Sequence, residues 1–279
     1  MRLLLKNFTL ILIIACGITP LAYFVRVQYG MAQDISQTDT VREPSGPDAI
    51  SRYVENIAFG IGEKLYFDIN YGFVNAGSAT MEVADLIEYN ERPAYQIVTT
   101  ATSNNFFSTF YPVQDRVESI IDAVGLFSWH FEKKLREGSY RQHRQYGFDQ
   151  INHKVVYKGD TIEIEDYCQD ALSILYYIRS QPLTVGQSLY VDNFTDGKNY
   201  PLEVKVLRRE TIKVEAGEFK CLVVEPLLRA AGIFKHEGKL TVWLTDDRVR
   251  LPVQMKSKVV VGSITAELTG YELGRLEEF

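Results

Sequence analysis

The sequence predicts a mainly β protein: a curved antiparallel sheet or half-barrel of about a dozen strands, packed on one buried helix. Three observations carry this. Apolar residues recur at alternate positions in run after run from about residue 57 onward, the period of a strand with one buried face. Short turn signals separate the runs, the strongest being Asp196-Gly197. A single stretch, around residues 170–181, switches to helical spacing.

The chain opens with a short basic start, Met1 to Asn7, followed by an apolar run without charge from Phe8 to Val25. That order is the basic region and hydrophobic region of a secretory signal, so the protein is expected to be exported, to the periplasm or outer cell envelope. Three fates are open for the segment. Gly30-Met31-Ala32 offers small residues to a signal peptidase, with cleavage before Gln33. Ile13-Ile14-Ala15-Cys16 has the form of a lipobox, which would make Cys16 a lipidation site. The apolar run is also just long enough to remain as a membrane anchor. Residues 1–32 are therefore assigned to a signal peptide or anchor. Residues 33–56, polar and containing Pro44, Gly46 and Pro47, form a flexible linker, and residues 57–279 a single antiparallel β domain.

Within that domain Leu65, Phe67, Ile69 and Tyr71 alternate with polar neighbours, as do Ala79, Met81 and Val83. Phe127, Trp129 and Phe131 repeat the pattern, then Leu202, Val204 and Val206, then Leu240, Val242 and Leu244. Two final strands run through Val253, Met255, Ser257, Val259 and Val261, and through Ile264, Ala266 and Leu268. The helix carries Ala171, Ile174, Leu175 and Ile178 on one face, with Asp170 placed to cap it and Gln181-Pro182 to stop it. Leu172, Tyr176 and Tyr177 make its other side apolar, so it is expected inside the sheet's curve.

Composition narrows the function. A net charge of -6 and a pI near 5.4 exclude the basic surface that a nucleic-acid binder needs. Seventeen Tyr and fifteen Phe suit pleated, half-buried strands. A domain of roughly 220 residues buries about 70% of its unfolded surface and needs no metal to fold. Outside the targeting segment only Cys168 and Cys221 remain. In an oxidising compartment they are expected to form a disulfide worth about 4 kcal/mol in the chain-entropy model; the alternative is two buried thiols acting as small hydrophobes. His130, His143, His153 and His236 show no metal-ligand spacing, and Leu240 stands where a zinc-protease helix starting at His236-Glu237 would need its second histidine. There is no nucleophile elbow, phosphate loop or Rossmann glycine pattern. No catalytic residue, metal or cofactor is expected.

Two features suit binding. Asn104 to Pro112 is too aromatic for a solvent loop, and Phe106, Phe107, Phe110 and Tyr111 are candidates for a lid or plug over an apolar cavity. The plainer reading is a short helix or turn packed on the core. The hairpin at Glu137-Gly138 carries Lys133, Lys134, Arg136, Arg141, His143 and Arg144, a candidate patch for anionic head groups or glycans, or simply the solvated face of an antiparallel pair.

Four stretches carry a family resemblance. Asp170-Ala-Leu-Ser-Ile-Leu-Tyr-Tyr-Ile-Arg179 has the pattern D-x-L-S-x-x-Y-x-x-R; the others are Val206 to Glu210 leading to Ala216 to Phe219, Trp243 to Asp247 leading to Leu251 to Val253, and Val261 to Ile264. In this order, over about residues 60–273, they resemble a bacterial exported family known only as a domain of unknown function. The resemblance implies an exported all-β domain and brings no catalytic residues. The architecture it implies is also distantly similar to that of lipoprotein-localisation carriers, whose curved sheet cups acyl chains. The expected function is non-catalytic binding of a lipid or other amphipathic ligand in the curved sheet. The alternatives are an envelope scaffold acting through a protein partner and, third, a glycan-active enzyme whose mark would be two facing carboxyls, one with a raised pKa. Membrane contact is expected at least through the N-terminal segment during export.

Overall fold

The computed structural model describes residues 50–228, 240–258 and 262–279. Cys16, the targeting segment, most of the linker and His236 lie outside the described residues. Among the described residues fourteen strands form one antiparallel sheet. In chain order they are β1 (Lys64–Tyr71), β2 (Val74–Tyr89), β3 (Arg92–Ser103), β4 (Gln114–Asp122), β5 (Ser128–Glu137), β6 (Tyr140–Asp149), β7 (Lys154–Tyr157), β8 (Asp160–Glu163), β9 (Ser188–Thr195), β10 (Lys198–Val214), β11 (Gly217–Leu228), β12 (Leu240–Thr245), β13 (Pro252–Lys258) and β14 (Ser263–Glu272). A one-turn helix α1 (Asn105–Ser108) links β3 to β4, and α2 (Ser173–Ser180) lies between β8 and β9.

Consecutive strands pair throughout except β8 and β9, and β1 also pairs with β14, so β8 and β9 form the sheet's two edges. Hairpin geometry explains the near-neighbour order. At the β9–β10 turn Asp196 and Gly197 both hold positive φ (49° and 84°), the backbone that a two-residue turn of type I′ requires. Register shifts at Val83/Asp85, Ile120/Ile121 and Val206/Arg208 bend the strands and help curl the sheet.

The curl brings the edges together without strand pairing. Phe194 of β9 packs edge-on against Tyr146 and Phe148 of β6, with ring centroids 5.3 and 6.1 Å apart. Asn199 Nδ2 donates to the Glu163 carbonyl at 2.6 Å. The sheet is therefore an open, deeply curved half-barrel, as the alternation predicted, with its apolar residues turned inward.

Up-and-down order places the turns at 72–73, 138–139, 158–159 and 196–197, together with α1, at one end, here called the upper rim. The lower end is filled. Ile174, Leu175, Tyr176 and Ile178 of α2 are buried, and Phe59 stands edge-on to Tyr176 (4.9 Å) and Tyr95 (5.5 Å). Residues 50–56, read from the sequence as linker, are held against this end: Ile50 is buried beside Phe127 and Trp129, and Val54 N donates to the Val124 carbonyl at 2.9 Å.

Candidate functional site

Three of the four motif stretches meet at the lower end. Asp170 uses both carboxylate oxygens. Oδ1 accepts from the backbone of Leu172 (2.7 Å) and Ser173 (2.8 Å), capping α2, and Oδ2 accepts from the Ser119 and Ser128 hydroxyls. Arg179, at the other end of α2, is fully buried and forks onto Glu63 with bonds of 2.7 and 2.6 Å, flanked by the rings of Phe59 and Tyr176. The β12–β13 turn joins the same knot. Asp247 Oδ1 accepts from the backbone of Val249 and Arg250, and Arg250 Nη1 donates to the Arg179 carbonyl at 2.6 Å. Arg209 of β10 pairs with Asp246 at 2.6 Å. These residues lock the helix and the N-terminal segment into the sheet.

The upper rim carries the rest. Asn104 caps α1 by accepting from Phe107 N (2.9 Å), and its amide donates to the Asn75 carbonyl (2.8 Å), tying α1 to the β1–β2 hairpin. At the far end of the segment Gly138 N donates to the Pro112 carbonyl (2.8 Å). Gly138 has φ 53°, and a Cβ there would meet the Tyr111 ring at 2.8 Å, so glycine lets that ring lie on the β5–β6 turn.

These ties leave the aromatic segment displayed on the rim. Phe106 stacks edge-on with Phe107 and Phe110 (5.5 Å each), while Phe106 and Phe110 remain 67% and 63% exposed. Phe73, at the tip of the neighbouring hairpin, is fully exposed, and Val74 is half exposed. The lid expected from the sequence is thus corrected. The four aromatics form two adjacent pairs, Phe106-Phe107 and Phe110-Tyr111, and in each pair one ring faces solvent, so Phe106 and Phe110 are exposed and only Phe107 and Tyr111 are part-buried. Burial, then the nearby Glu137 and Asp115 carboxyls, push the Tyr111 phenol up to about 12.

The six basic candidates do not form one patch, because strand alternation sends them to opposite faces. Lys133 points inward and is buried, with its ammonium 3.3 Å from Asp196, and Arg144 opposite it binds the same carboxylate. Lys134 and His143 both contact Glu132 at 2.7 Å on the outer face. These bonds, with that of Gln145, hold the Glu132 carboxyl down at about 2 against the opposing effect of its partial burial. Arg136 and Arg141 share a cleft of about 350 Å3 with Pro112 and Gln114.

Sequence reasoning passed over the inward acids beside Lys133. Asp115 and Glu137 are each 3% exposed. Asp115 Oδ1 accepts from Arg136 N at 2.8 Å, but Asp115 Oδ2 and Glu137 Oε1 are buried acceptors without a donor. A single proton carried by Glu137 and donated to Asp115 satisfies both. Burial first, then the Asp115 charge, push the Glu137 carboxyl up to about 9, and burial raises Asp115 to about 6. The signal was present: Val113, Asp115, Val117, Ser119 and Ile121 alternate as a strand with polar residues at two inward positions.

Cys168 and Cys221 are free, buried thiols, which corrects the expected disulfide. The Cys168 carbonyl accepts from Ser128 N beside β5, whereas Cys221 pairs in register with Thr245 of β12. Burial raises both thiols, Cys221 to about 12 and Cys168 further, so neither is an activated nucleophile. Among the described residues no group of three His, Cys, Asp or Glu side chains is arranged to hold a metal ion.

Comparison with solved structures agrees with the fold. A β-barrel-like protein of the domain of unknown function DUF1849 from Brucella abortus is 9% identical, covers 78% of this chain and 100% of its own, and superposes with a TM-score of 0.53. A candidate lipoprotein from Parabacteroides distasonis is 9% identical, with 80% and 100% coverage and a TM-score of 0.34. A candidate exported protein with a YmcC-like fold from Bacteroides fragilis is 14% identical, with 79% and 99% coverage and a TM-score of 0.30. The last two scores are too low to bear on the argument. No curated protein matches the chain significantly. The model of one family, described as "Protein of unknown function (DUF3108)", matches residues 66–269, and with well over half of its length so matched the chain belongs to that family.

Proposed function

We propose that this protein is an exported, non-catalytic envelope protein that engages a lipid or other amphipathic molecule at the upper rim of its half-barrel. The observation that carries the reading is the display of Phe73, Phe106 and Phe110 on one end of a domain whose other end is closed by α2. Exposed aromatic clusters of this kind mark interaction sites more often than they occur by chance on a monomer. Export rests on the basic start and apolar run at the N-terminus. Glycan hydrolysis is less well supported: the two facing carboxyls, Asp115 and Glu137, are both closed off from solvent, where no sugar reaches them.

The test is native mass spectrometry of the chain recovered from a bacterial envelope, followed by solvent extraction. The reading expects a lipid or amphiphile adduct that disappears in Phe106→Asp/Phe110→Asp. A bare protein with no adduct in either form would contradict it and favour an envelope scaffold acting through a protein partner.

A further inference from the structure

Arg136 and Arg141 are placed opposite each other across the β5–β6 hairpin, a like-charge pairing that disfavours the strand contact. Both are exposed on the outer face. Their neighbours on that face are neutralised: Lys134 by Glu132 and Arg116 by Glu118. These two are not. Arg136 Nη1 reaches only the Gln114 amide oxygen (3.3 Å), and Arg141 Nη1 donates to the carbonyls of Gly138 (2.7 Å) and Tyr140 (2.8 Å). Among the described residues neither has a carboxylate partner, although the chain carries net negative charge. Both arginines line one cleft with Gln114 and Pro112, two residues after the exposed ring of Phe110.

We infer that the rim is a docking surface for anionic phospholipid, with the lipid phosphate in the Arg136–Arg141 cleft and Phe106 and Phe110 in the interfacial layer beside it. The chemistry is complementary on both counts. Two planar guanidinium forks suit phosphate oxygens, and aromatic rings settle at the headgroup level of a bilayer. Zwitterionic lipid offers the same apolar layer without the net charge. The inference rests on the amphiphile reading above and adds the class of head group to it.

The experiment uses the full exported chain carrying Phe106→Trp, mixed with vesicles of brominated phosphatidylglycerol or brominated phosphatidylcholine, with inorganic phosphate alone as a third arm. Bromine quenches the rim indole on contact, while Trp129 and Trp243 are buried and remain as an internal reference. Quenching is expected at much lower concentrations of phosphatidylglycerol. Arg136→Gln/Arg141→Gln should remove that preference, at roughly five-fold in apparent affinity per arginine. Equal quenching by both lipids, unchanged in the double variant, would overturn the head-group assignment and leave the amphiphile reading standing. No quenching by either lipid would overturn both. A spectral response to phosphate alone, without vesicle quenching, would make the cleft a free-anion site and overturn the membrane assignment. The two arginines are exposed, so an unchanged thermal midpoint is expected to verify the fold of the double variant.

Discussion

Glu137 is the residue whose protonation the fold controls most directly. In the unfolded chain its carboxyl ionises near 4.5, whereas the folded protein holds the proton up to about 9. Between those values the folded state binds more protons than the unfolded one, so stability falls as pH rises through the window and levels off above it. Asp115, raised from 3.8 to about 6, acts in the same direction at the acid end. Glu132 acts oppositely, but its stabilisation is lost only as pH falls below about 4.5 towards 2. Urea midpoints should therefore peak near pH 5 and decline towards pH 9, and Glu137→Gln should flatten that decline. A midpoint that rises across the window, or that the variant leaves sloping as before, would exclude the shared proton. At the lower end, Arg179→Leu leaves Glu63 buried without its partner and should cost about 3–5 kcal/mol in denaturant unfolding. Arg179→Leu/Glu63→Leu should recover much of that, because it removes both charges. If the double variant is worse by the sum of two such losses, the pair is not acting as a pair.

At the scale of elements, the α1 segment divides into parts that hold it and parts that it displays. Asn104→Ala should lower stability by about 1 kcal/mol through loss of the cap and of the tie to Asn75. In thermal unfolding of all three variants, Phe106→Ser and Phe110→Ser should each stay within about 0.5 kcal/mol of the parent, since those rings are mostly exposed. A large loss in either would mean that the rings stabilise the fold rather than serve a partner. Most strands were legible because alternation with period two survives in any register, and Asp196-Gly197 named its own turn. The lid was not legible, because sequence records that a segment is aromatic and not which way a single helical turn faces. The basic candidates divide for a related reason: six neighbouring cations on a hairpin read as one cluster until the pleat turns Lys133 and Arg144 inward and leaves Lys134, Arg136, Arg141 and His143 outside. Asp115 was missed because its strand breaks the apolar rule at the two inward positions, Asp115 and Ser119, where buried polar networks sit.

For the molecule as a whole, α2 and the N-terminal segment pack into the lower end, and Phe73, Phe106 and Phe110 are displayed at the upper rim. Three of the four stretches that carried the resemblance converge on the closed end, around Asp170, Arg179 and Asp247, where they hold the helix in the sheet. The sheet's edges meet through Phe194, Tyr146 and the Asp196 ion pairs rather than through a disulfide. Thermal midpoints with and without a thiol reductant should coincide; a drop on reduction would show that Cys168 and Cys221 pair after all. The central claim is that the upper rim meets an amphiphile. It is tested most directly by photo-crosslinking in living bacteria, with p-benzoylphenylalanine at position 106 or 110 and, as controls at the closed end, at position 53 or 273. Rim positions are expected to gain adducts of lipid mass, and the controls none. Adducts of protein mass at the rim, or equal lipid labelling at both ends, would contradict it.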